Sequence, residues 1–270
     1  MSGFSDTWLS ARAAWDGPAR NRTVQGALVD WTRKRALDGP RLRIVDLGAG
    51  NGNNQRHLAP LFMQPVDWVL IDSDRDLLTI AGRTALLKDD DTLITDVSDL
   101  ASADLAKLIA GADLVTASAL FDLVAQGWLD RLLNALVDEG AALLAVLTYD
   151  GRIEAGAGDD GVLAVVRDLV NKHQRTDKGF GPALGPGAPE ALSAGLEARA
   201  YDVREGQSDW IVSAEDPGAS ALVGGWAEAA SELAPERTDQ LAAWAEDLLA
   251  RPALSIRVGH CDHFATPRAS

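Results

Sequence analysis

The segment that decides the fold runs from Val45 to Asn54 and reads Val-Asp-Leu-Gly-Ala-Gly-Asn-Gly-Asn-Asn. Apolar residues at its start are typical of a short buried strand, and the glycines that follow predict a tight turn. Because glycine has no Cβ, the backbone of such a turn can approach a ligand closely and adopt positive φ. A helix expected to begin near Asn53 would direct its free N–H groups to the same place. The stretch predicts a strand–loop–helix unit that binds a polar or anionic ligand.

Strands and helices alternate along the chain after this unit. Further strands are expected at residues 67–72, 91–96, 112–118 and 141–150, with helices at 74–87 and 121–137 between them. These strands are apolar almost throughout, as expected when both faces of a sheet are covered. The predicted fold class is therefore α/β, a Rossmann-like, doubly wound and mostly parallel sheet of seven strands with helices on both faces.

The chain is expected to form a single domain over residues 1–270. Residues 1–40 are predicted as an N-terminal helical cap, 41–150 as the cofactor-binding half and 151–270 as the substrate-side half. Within the last part, helical patterns at about 215–250 predict an insertion between the last two strands. The stretch 198–214 before it is expected to form one strand or a hairpin.

Composition and charge narrow the class of function. Hydrophobic residues make up 47% of the 270, enough for a large core, while the formal net charge of -15 disfavours a nucleic-acid partner. Cys261 is the one cysteine, so no intrachain disulfide is expected and a reducing compartment is favoured. Met1–Ser10 lacks the features of a signal peptide, and no apolar run is long enough to span a bilayer. We expect a cytoplasmic protein with no membrane partner.

The spacing of the glycines distinguishes between cofactor classes. The dinucleotide fingerprint G-x-G-x-x-G requires glycine at the position of Asn53, so that pattern fails. The spacing found is G-x-G-x-G, with Asp46 two positions before the first glycine. This resembles the first motif of class I S-adenosylmethionine-dependent methyltransferases. Asp72, the pair Asp96-Val97 and Ser118 follow in the order of that family's later motifs, and the resemblance covers residues 42–150 well.

The resemblance implies S-adenosyl-L-methionine as the cofactor and assigns roles to several residues. Asp72 is expected to accept hydrogen bonds from the ribose hydroxyls, and Asp96-Val97 to contact the adenine. Arg20 is a candidate partner for the cofactor's methionine carboxylate. The full set of expected cofactor residues is Asp46, Gly48, Gly50, Asn51, Gly52, Asn53, Asp72, Ser73, Asp96, Val97, Ser118 and Arg20.

The acceptor is predicted to be a small molecule. Residues 117–120 lack the D/N-P-P-aromatic tetrad of enzymes that methylate the amino groups of DNA bases. A different class of enzymes, which methylates a cytosine carbon, uses a cysteine nucleophile in that region, and Cys261 lies too near the C-terminus to match it. His173 and Tyr149 are the candidate catalytic bases for O- or N-methylation. Expected substrate-binding residues are Tyr149, His173, Arg175, Asp177, Lys178 and Phe180. Several of these equally fit a solvated turn after a helix whose C-terminus is capped by basic residues.

Other interpretations stay open at this stage. The protein is alternatively a non-catalytic S-adenosylmethionine-binding sensor or partner subunit, or an NAD(P)-dependent oxidoreductase, which Asn53 disfavours. Trp8 and Trp15 either form a lid over the pocket or anchor the N-terminal segment. No metal site is expected at His260–His263, since alternate residues of a strand face opposite ways. The oligomeric state is left open, with a homodimer as one outcome.

Overall fold

The computed structural model describes residues 5–38, 41–156, 161–251 and 253–268. Within these ranges the chain forms ten α-helices and eight strands. The helices are α1 (Asp6–Ala19), α2 (Arg22–Asp38), α3 (Asn53–Leu58), α4 (Arg75–Thr84), α5 (Leu105–Leu108), α6 (Gln126–Glu139), α7 (Val162–His173), α8 (Ala188–Glu197), α9 (Ala219–Leu233) and α10 (Thr238–Leu249). The strands are β1 (Leu42–Leu47), β2 (Val66–Asp72), β3 (Thr92–Val97), β4 (Leu114–Ser118), β5 (Ala142–Ala155), β6 (Tyr201–Gln207), β7 (Trp210–Ser213) and β8 (Ser255–Pro267).

The strands form one mixed sheet in the order β3-β2-β1-β4-β5-β8-β6, with β7 also paired to β8. Strands β1 to β5 run parallel, whereas β8 is antiparallel to β5, β6 and β7. The strand order reverses between β1 and β4, which is the switch point where ligands bind in open α/β sheets. The doubly wound, mostly parallel fold class is confirmed.

The sheet has eight strands, one more than the predicted seven. Strands β6 and β7 both pair with β8 in a single register, in which Gln207 opposes Cys261 and Trp210 opposes Val258. They are therefore one strand interrupted at residues 208–209, and the hairpin alternative for this stretch is wrong. Asp209 leaves the ladder because its carboxylate accepts hydrogen bonds from two arginine side chains, those of Arg152 and Arg257.

Three apolar clusters form the core. One lies between the sheet and helices α5, α6 and α8, and a second lies on the opposite face beneath α2, α3 and α4. The third packs α1, α7, α9 and α10 against the outer half of β5 and against β7 and β8. The predicted helical insertion is thus present as α9 and α10, between β7 and β8. No helix within the described ranges combines the length and apolar composition needed to cross a membrane.

Several element boundaries differ from the predicted ones. Helix α4 ends at Thr84 instead of residue 87, and α6 begins at Gln126 instead of residue 121. Strand β5 continues past the expected end to Ala155, because bulges let it stay paired with β8 despite the turn-like Gly151, whose φ is +89°.

Candidate functional site

A cavity of about 790 Å³ opens at the carboxyl ends of β1, β2 and β4, at the switch point of the sheet. Its floor is formed by the glycine turn and by the turns after β2, β3 and β4. Helix α1 and residues 178–180 close it from above. Its lining comprises Leu9, Arg12, Asp16, Gly48, Ala49, Gly50, Asn51, Asn53, Asn54, Asp72, Ser73, Asp74, Arg75, Asp76, Leu77, Asp99, Leu100, Ala101, Ser118, Ala119, Leu120, Leu123, Lys178, Gly179 and Phe180.

The glycine turn is tied to the end of β2. The Gly50 backbone N–H donates a 2.8 Å hydrogen bond to Oδ2 of Asp72, and Oδ1 of Asp72 accepts one from the Asp74 N–H at 2.9 Å. Gly50 has a φ of +53°, and a Cβ there would lie 3.1 Å from Cδ1 of Leu9. The positive φ therefore favours glycine here, and a larger residue would also press on the Leu9 side chain of α1.

Helix α1 covers the glycine turn and is held there by two asparagines. Nδ2 of Asn51 donates to Oδ1 of Asp6 at 2.8 Å, and Nδ2 of Asn53 donates to the Leu9 carbonyl at 2.7 Å. Through this contact Leu9 and two further α1 residues, Arg12 and Asp16, line the cavity. Asn53 stands where the dinucleotide fingerprint has its third glycine. Its side chain bonds helix α1, which covers the turn.

The two N-terminal tryptophans anchor α1 and are not part of the cavity lining. Trp15 lies 5.4 Å from the Trp210 ring of β7 and Trp8 lies 6.4 Å from it, measured between ring centroids. Nε1 of Trp15 also donates to Asp216 at 3.0 Å. Of the two alternatives raised by the sequence, the structure favours anchoring, although the helix that they anchor does lie over the cavity.

A buried polar chain lies beneath the cavity. Nη2 of Arg20 donates to Oδ1 of Asn54 at 3.1 Å and to the Ser118 hydroxyl at 3.5 Å. Nδ2 of Asn54 in turn donates to Oδ1 of Asp46 at 2.9 Å. Burial lowers the pKa of Arg20 and raises the pKa of Asp46 to about 7. Nε and Nη1 of Arg20 are buried and have no hydrogen-bond partner in the protein.

Five of the expected cofactor residues lie outside the cavity lining. The Asp96 carboxylate accepts a hydrogen bond from Ser98, Val97 is 41% exposed, and Gly52 faces Ala81 and Arg56. The turn after β3 instead presents Asp99, Leu100 and Ala101 to the cavity. Asp46 and Arg20 lie beneath it, and the other expected cofactor residues line it: Gly48, Gly50, Asn51, Asn53, Asp72, Ser73 and Ser118.

Of the expected substrate residues, Lys178 and Phe180 line the cavity. The Phe180 ring packs edge-on against Trp128, with 5.6 Å between the ring centroids. Asp177 does not line the cavity; it shapes the loop, because its Oδ1 accepts the backbone N–H groups of Gly179 and Gly181 at 2.7 and 3.0 Å. Arg175 is exposed and donates to the Asn171 carbonyl.

Neither candidate base lies in the cavity lining. The Tyr149 hydroxyl donates to Oδ1 of Asn171 at 2.8 Å, and burial raises its pKa above the usual range. His173, at the end of α7, bonds Glu232 through Nε2 at 3.0 Å and Lys178 through Nδ1 at 3.3 Å. Helix α7 therefore directs His173 toward α9, and His173 reaches the cavity only through Lys178.

Comparisons with known proteins were made at three levels. No protein-family model matches the sequence, and no curated protein matches it significantly. Among solved structures, a loganic acid methyltransferase solved with SAH superposes with a TM-score of 0.59 over 100% of this chain and 99% of that one, at 12% identity. The chain has the class I methyltransferase fold.

Two further structures show the same fold at lower similarity. The cyclopropane synthase MmaA2 from Mycobacterium tuberculosis gives a TM-score of 0.50 at 12% identity, with 97% of this chain and 95% of that chain covered. The YcgJ protein from Bacillus subtilis gives 0.50 at 13% identity, with 92% and 100% covered. The likeness thus extends over nearly the whole chain, beyond the residues 42–150 that carry the sequence resemblance.

Placed on this fold, the His260–His263 stretch has structural roles. Asp262 is fully buried and accepts the backbone N–H groups of Asn21 and Leu147, both at 2.8 Å. Nδ1 of His260 bonds the Val258 carbonyl, and burial lowers the pKa of His260 to about 3. Within the described ranges, no three His, Cys, Asp or Glu side chains are arranged to hold a metal ion.

The cavity residues that sequence reasoning missed come mainly from α1 and from the turn after β4. They include Leu9, Arg12 and Asp16, together with Leu120 and Leu123. The side chains of Asn51 and Asn53 bond α1 in the structure, but the sequence alone does not show that they need partners from another segment.

Proposed function

We propose that this protein transfers a methyl group from S-adenosylmethionine to a small-molecule acceptor. The observation that carries the proposal is the glycine turn bonded to Asp72 at the mouth of a 790 Å³ cavity. Asp72 ends the strand next to the turn and faces the place where the fold binds nucleosides. Each of its carboxylate oxygens has one protein donor, which leaves acceptor capacity for ribose hydroxyls.

The residues at the site fit this cofactor. Gly48 and Gly50 line the cavity with φ angles of +67° and +53°, so the backbone there faces a ligand with no side chain in between. Arg20 is 5% exposed and carries two nitrogens without a protein partner, which suits the carboxylate of a bound methionine moiety. A buried guanidinium with free donors is costly unless a ligand satisfies it.

S-Adenosylmethionine, when bound, supplies a methyl group already activated on a sulfonium sulfur. The protein then contributes position and exclusion of water. Leu9, Arg12 and Asp16 of α1 close the cavity over the turn after β4, so an acceptor is held between α1, Ala119 and residues 178–180. That roof also favours a small acceptor over a polymer, in keeping with the net charge of -15, and nucleic acid stays disfavoured.

Isothermal calorimetry with S-adenosylhomocysteine, using NADH as the parallel ligand, tests the proposal. We expect S-adenosylhomocysteine to bind and NADH not to bind. Binding of NADH alone would support the oxidoreductase alternative, and binding of neither would overturn the proposal. Binding of S-adenosylhomocysteine without methyl transfer to any component of a metabolite extract would support the sensor or partner-subunit alternative.

A further inference from the structure

The cavity has two ends of different chemistry. Toward β2 and β3 it is lined by four carboxylates, those of Asp72, Asp74, Asp76 and Asp99. Toward β4 it is lined by Arg12, Asp16 and Lys178 together with apolar residues. The loop that carries Lys178 belongs to this second end, because its continuation bonds the turn after β4: Leu184 N–H donates to the Val124 carbonyl and Gly185 N–H to the Asp122 carbonyl.

Among the described residues that line the β4 end, the one carboxylate is held in an ion pair. That carboxylate belongs to Asp16, and each of its oxygens accepts one hydrogen bond. Nε of Arg12 donates to Oδ2 of Asp16 at 3.1 Å, and Nε1 of Trp210 donates to Oδ1 at 3.1 Å. The Asp16 side chain is only 7% exposed, and protonating it would break its ion pair with Arg12.

Lys178 is the cation at this end that has no carboxylate partner among the described residues. Its Nζ contacts Nδ1 of His173 at 3.3 Å, and the other ring nitrogen of His173, Nε2, bonds Oε2 of Glu232. Partial burial lowers the pKa of Lys178, which means that the ammonium lacks full compensation for its desolvation. An anion placed beside it would supply that compensation.

We infer that the methyl acceptor is an amphipathic carboxylate, held by Lys178 with its apolar body against Leu120, Leu123 and Phe180, and that the product is its methyl ester. This rests on the proposed function. A carboxylate is already deprotonated at neutral pH, so no general base is required. Its oxygen forms a bond to the methyl carbon while the carbon–sulfur bond breaks and its electron pair goes to sulfur. The sulfonium becomes a neutral thioether, the carboxylate becomes a neutral ester, and no proton is released.

The competing interpretation is general-base catalysis by Asp122. This residue lies in the turn after β4, between the lining residues Leu120 and Leu123 in sequence, is 6% exposed and has an Oδ1 with no protein partner. It would serve an alcohol, phenol or amine acceptor and would be indispensable for turnover. The carboxylate inference predicts instead that Asp122→Asn keeps its activity.

Binding to protein saturated with S-adenosylhomocysteine is the first test. Decanoate and phenylacetate, with decanamide and phenylacetamide as neutral counterparts, are titrated by calorimetry. We expect each acid to bind at least about tenfold more tightly than its amide, a preference lost in Lys178→Met and largely kept in Lys178→Arg. Lys172→Met, which removes an exposed ammonium from α7, is the matched control and should change nothing. Equal affinity for acid and amide, or no binding of either acid, overturns the inference.

The bond formed is the second test. Protein, methyl-labelled S-adenosylmethionine and a metabolite extract are incubated, and the labelled product is treated with alkali. A methyl ester releases labelled methanol, whereas ethers and methylamines keep the label. Alkali-stable label, or loss of transfer in Asp122→Asn, overturns the inference. Failure of the proposed function itself is distinguished by the absence of S-adenosylhomocysteine binding.

Discussion

Gly50 and Asp72, at the ends of neighbouring strands, are joined by a 2.8 Å hydrogen bond from the glycine N–H to the carboxylate. The turn that approaches the ligand and the side chain expected to hold its ribose are therefore one unit. A substitution at Asp72 therefore affects both the conformation of the glycine turn and the expected contacts with the ribose.

Asp72→Ala is expected to reduce affinity for S-adenosylhomocysteine by about 100-fold or more, since two hydrogen bonds from the ribose to a charged acceptor are lost along with the Gly50 contact. Calorimetry measures the loss, and Asp89→Ala, at an exposed position, is the control. Undiminished affinity in Asp72→Ala would remove this residue from the site.

Arg20→Met tests whether the buried guanidinium binds the amino-acid end of the ligand. We expect affinity for S-adenosylhomocysteine to fall by about 10- to 100-fold, because a charge-assisted contact to the carboxylate disappears. Affinity for 5′-methylthioadenosine, which lacks that carboxylate, should stay within about twofold of the original, a change of under about 0.4 kcal/mol. Equal losses for both ligands would mean that Arg20 acts only on the structure of the cavity.

Asn53→Ala removes the 2.7 Å bond from Nδ2 to the Leu9 carbonyl that holds α1 over the glycine turn. Loss of one hydrogen bond of about 1 kcal/mol predicts an approximately fivefold faster dissociation of S-adenosylhomocysteine, because the covering helix opens more often. Stopped-flow displacement measures the rate, with Asn134→Ala, exposed on α6, as the control. An unchanged dissociation rate would mean that α1 does not limit ligand release.

The sequence predicted the structure best where buried apolar strands end in a turn that needs glycine. The apolar strands predicted the sheet, and the glycines together with Asp72 predicted the position of the cavity at the strand ends. The contribution of helix α1 to the cavity was not predicted. Arg12 and Asp16 lie on the side of the helix that lines the cavity, so no apolar stripe marks its buried face.

Which of the expected residues line the cavity depends on the paths of turns. Strand β3 ends within one residue of the expected position, and the turn that follows it brings Asp99 to the cavity lining, a placement that no pattern of apolar residues records. His173 and Tyr149 lie on elements that were predicted, but their side chains bond α9 and α7 residues instead of facing the acceptor. Side-chain direction at the end of an element is set by tertiary packing, so spacing alone does not fix it.

Asp46 makes the stability of the fold depend on pH. Burial raises its pKa from 3.8 to about 7 in the folded protein. Between about pH 4 and pH 7 the unfolded chain has lost this proton while the folded protein retains it, so the contribution of Asp46 to stability falls as pH rises through that window. Above the window both states are ionised and the penalty is constant.

Asp46→Asn removes this dependence and keeps an oxygen to accept the hydrogen bond from Asn54. At pH 8 the variant should exceed the original protein in free energy of unfolding by on the order of 2–4 kcal/mol, whereas at pH 4 the two should be nearly equal. Urea unfolding at a series of pH values measures the difference, and Asp89→Asn should give a curve parallel to that of the original protein. A difference between Asp46→Asn and the original that does not change with pH would show that Asp46 is ionised throughout, with Arg20 as its compensating charge.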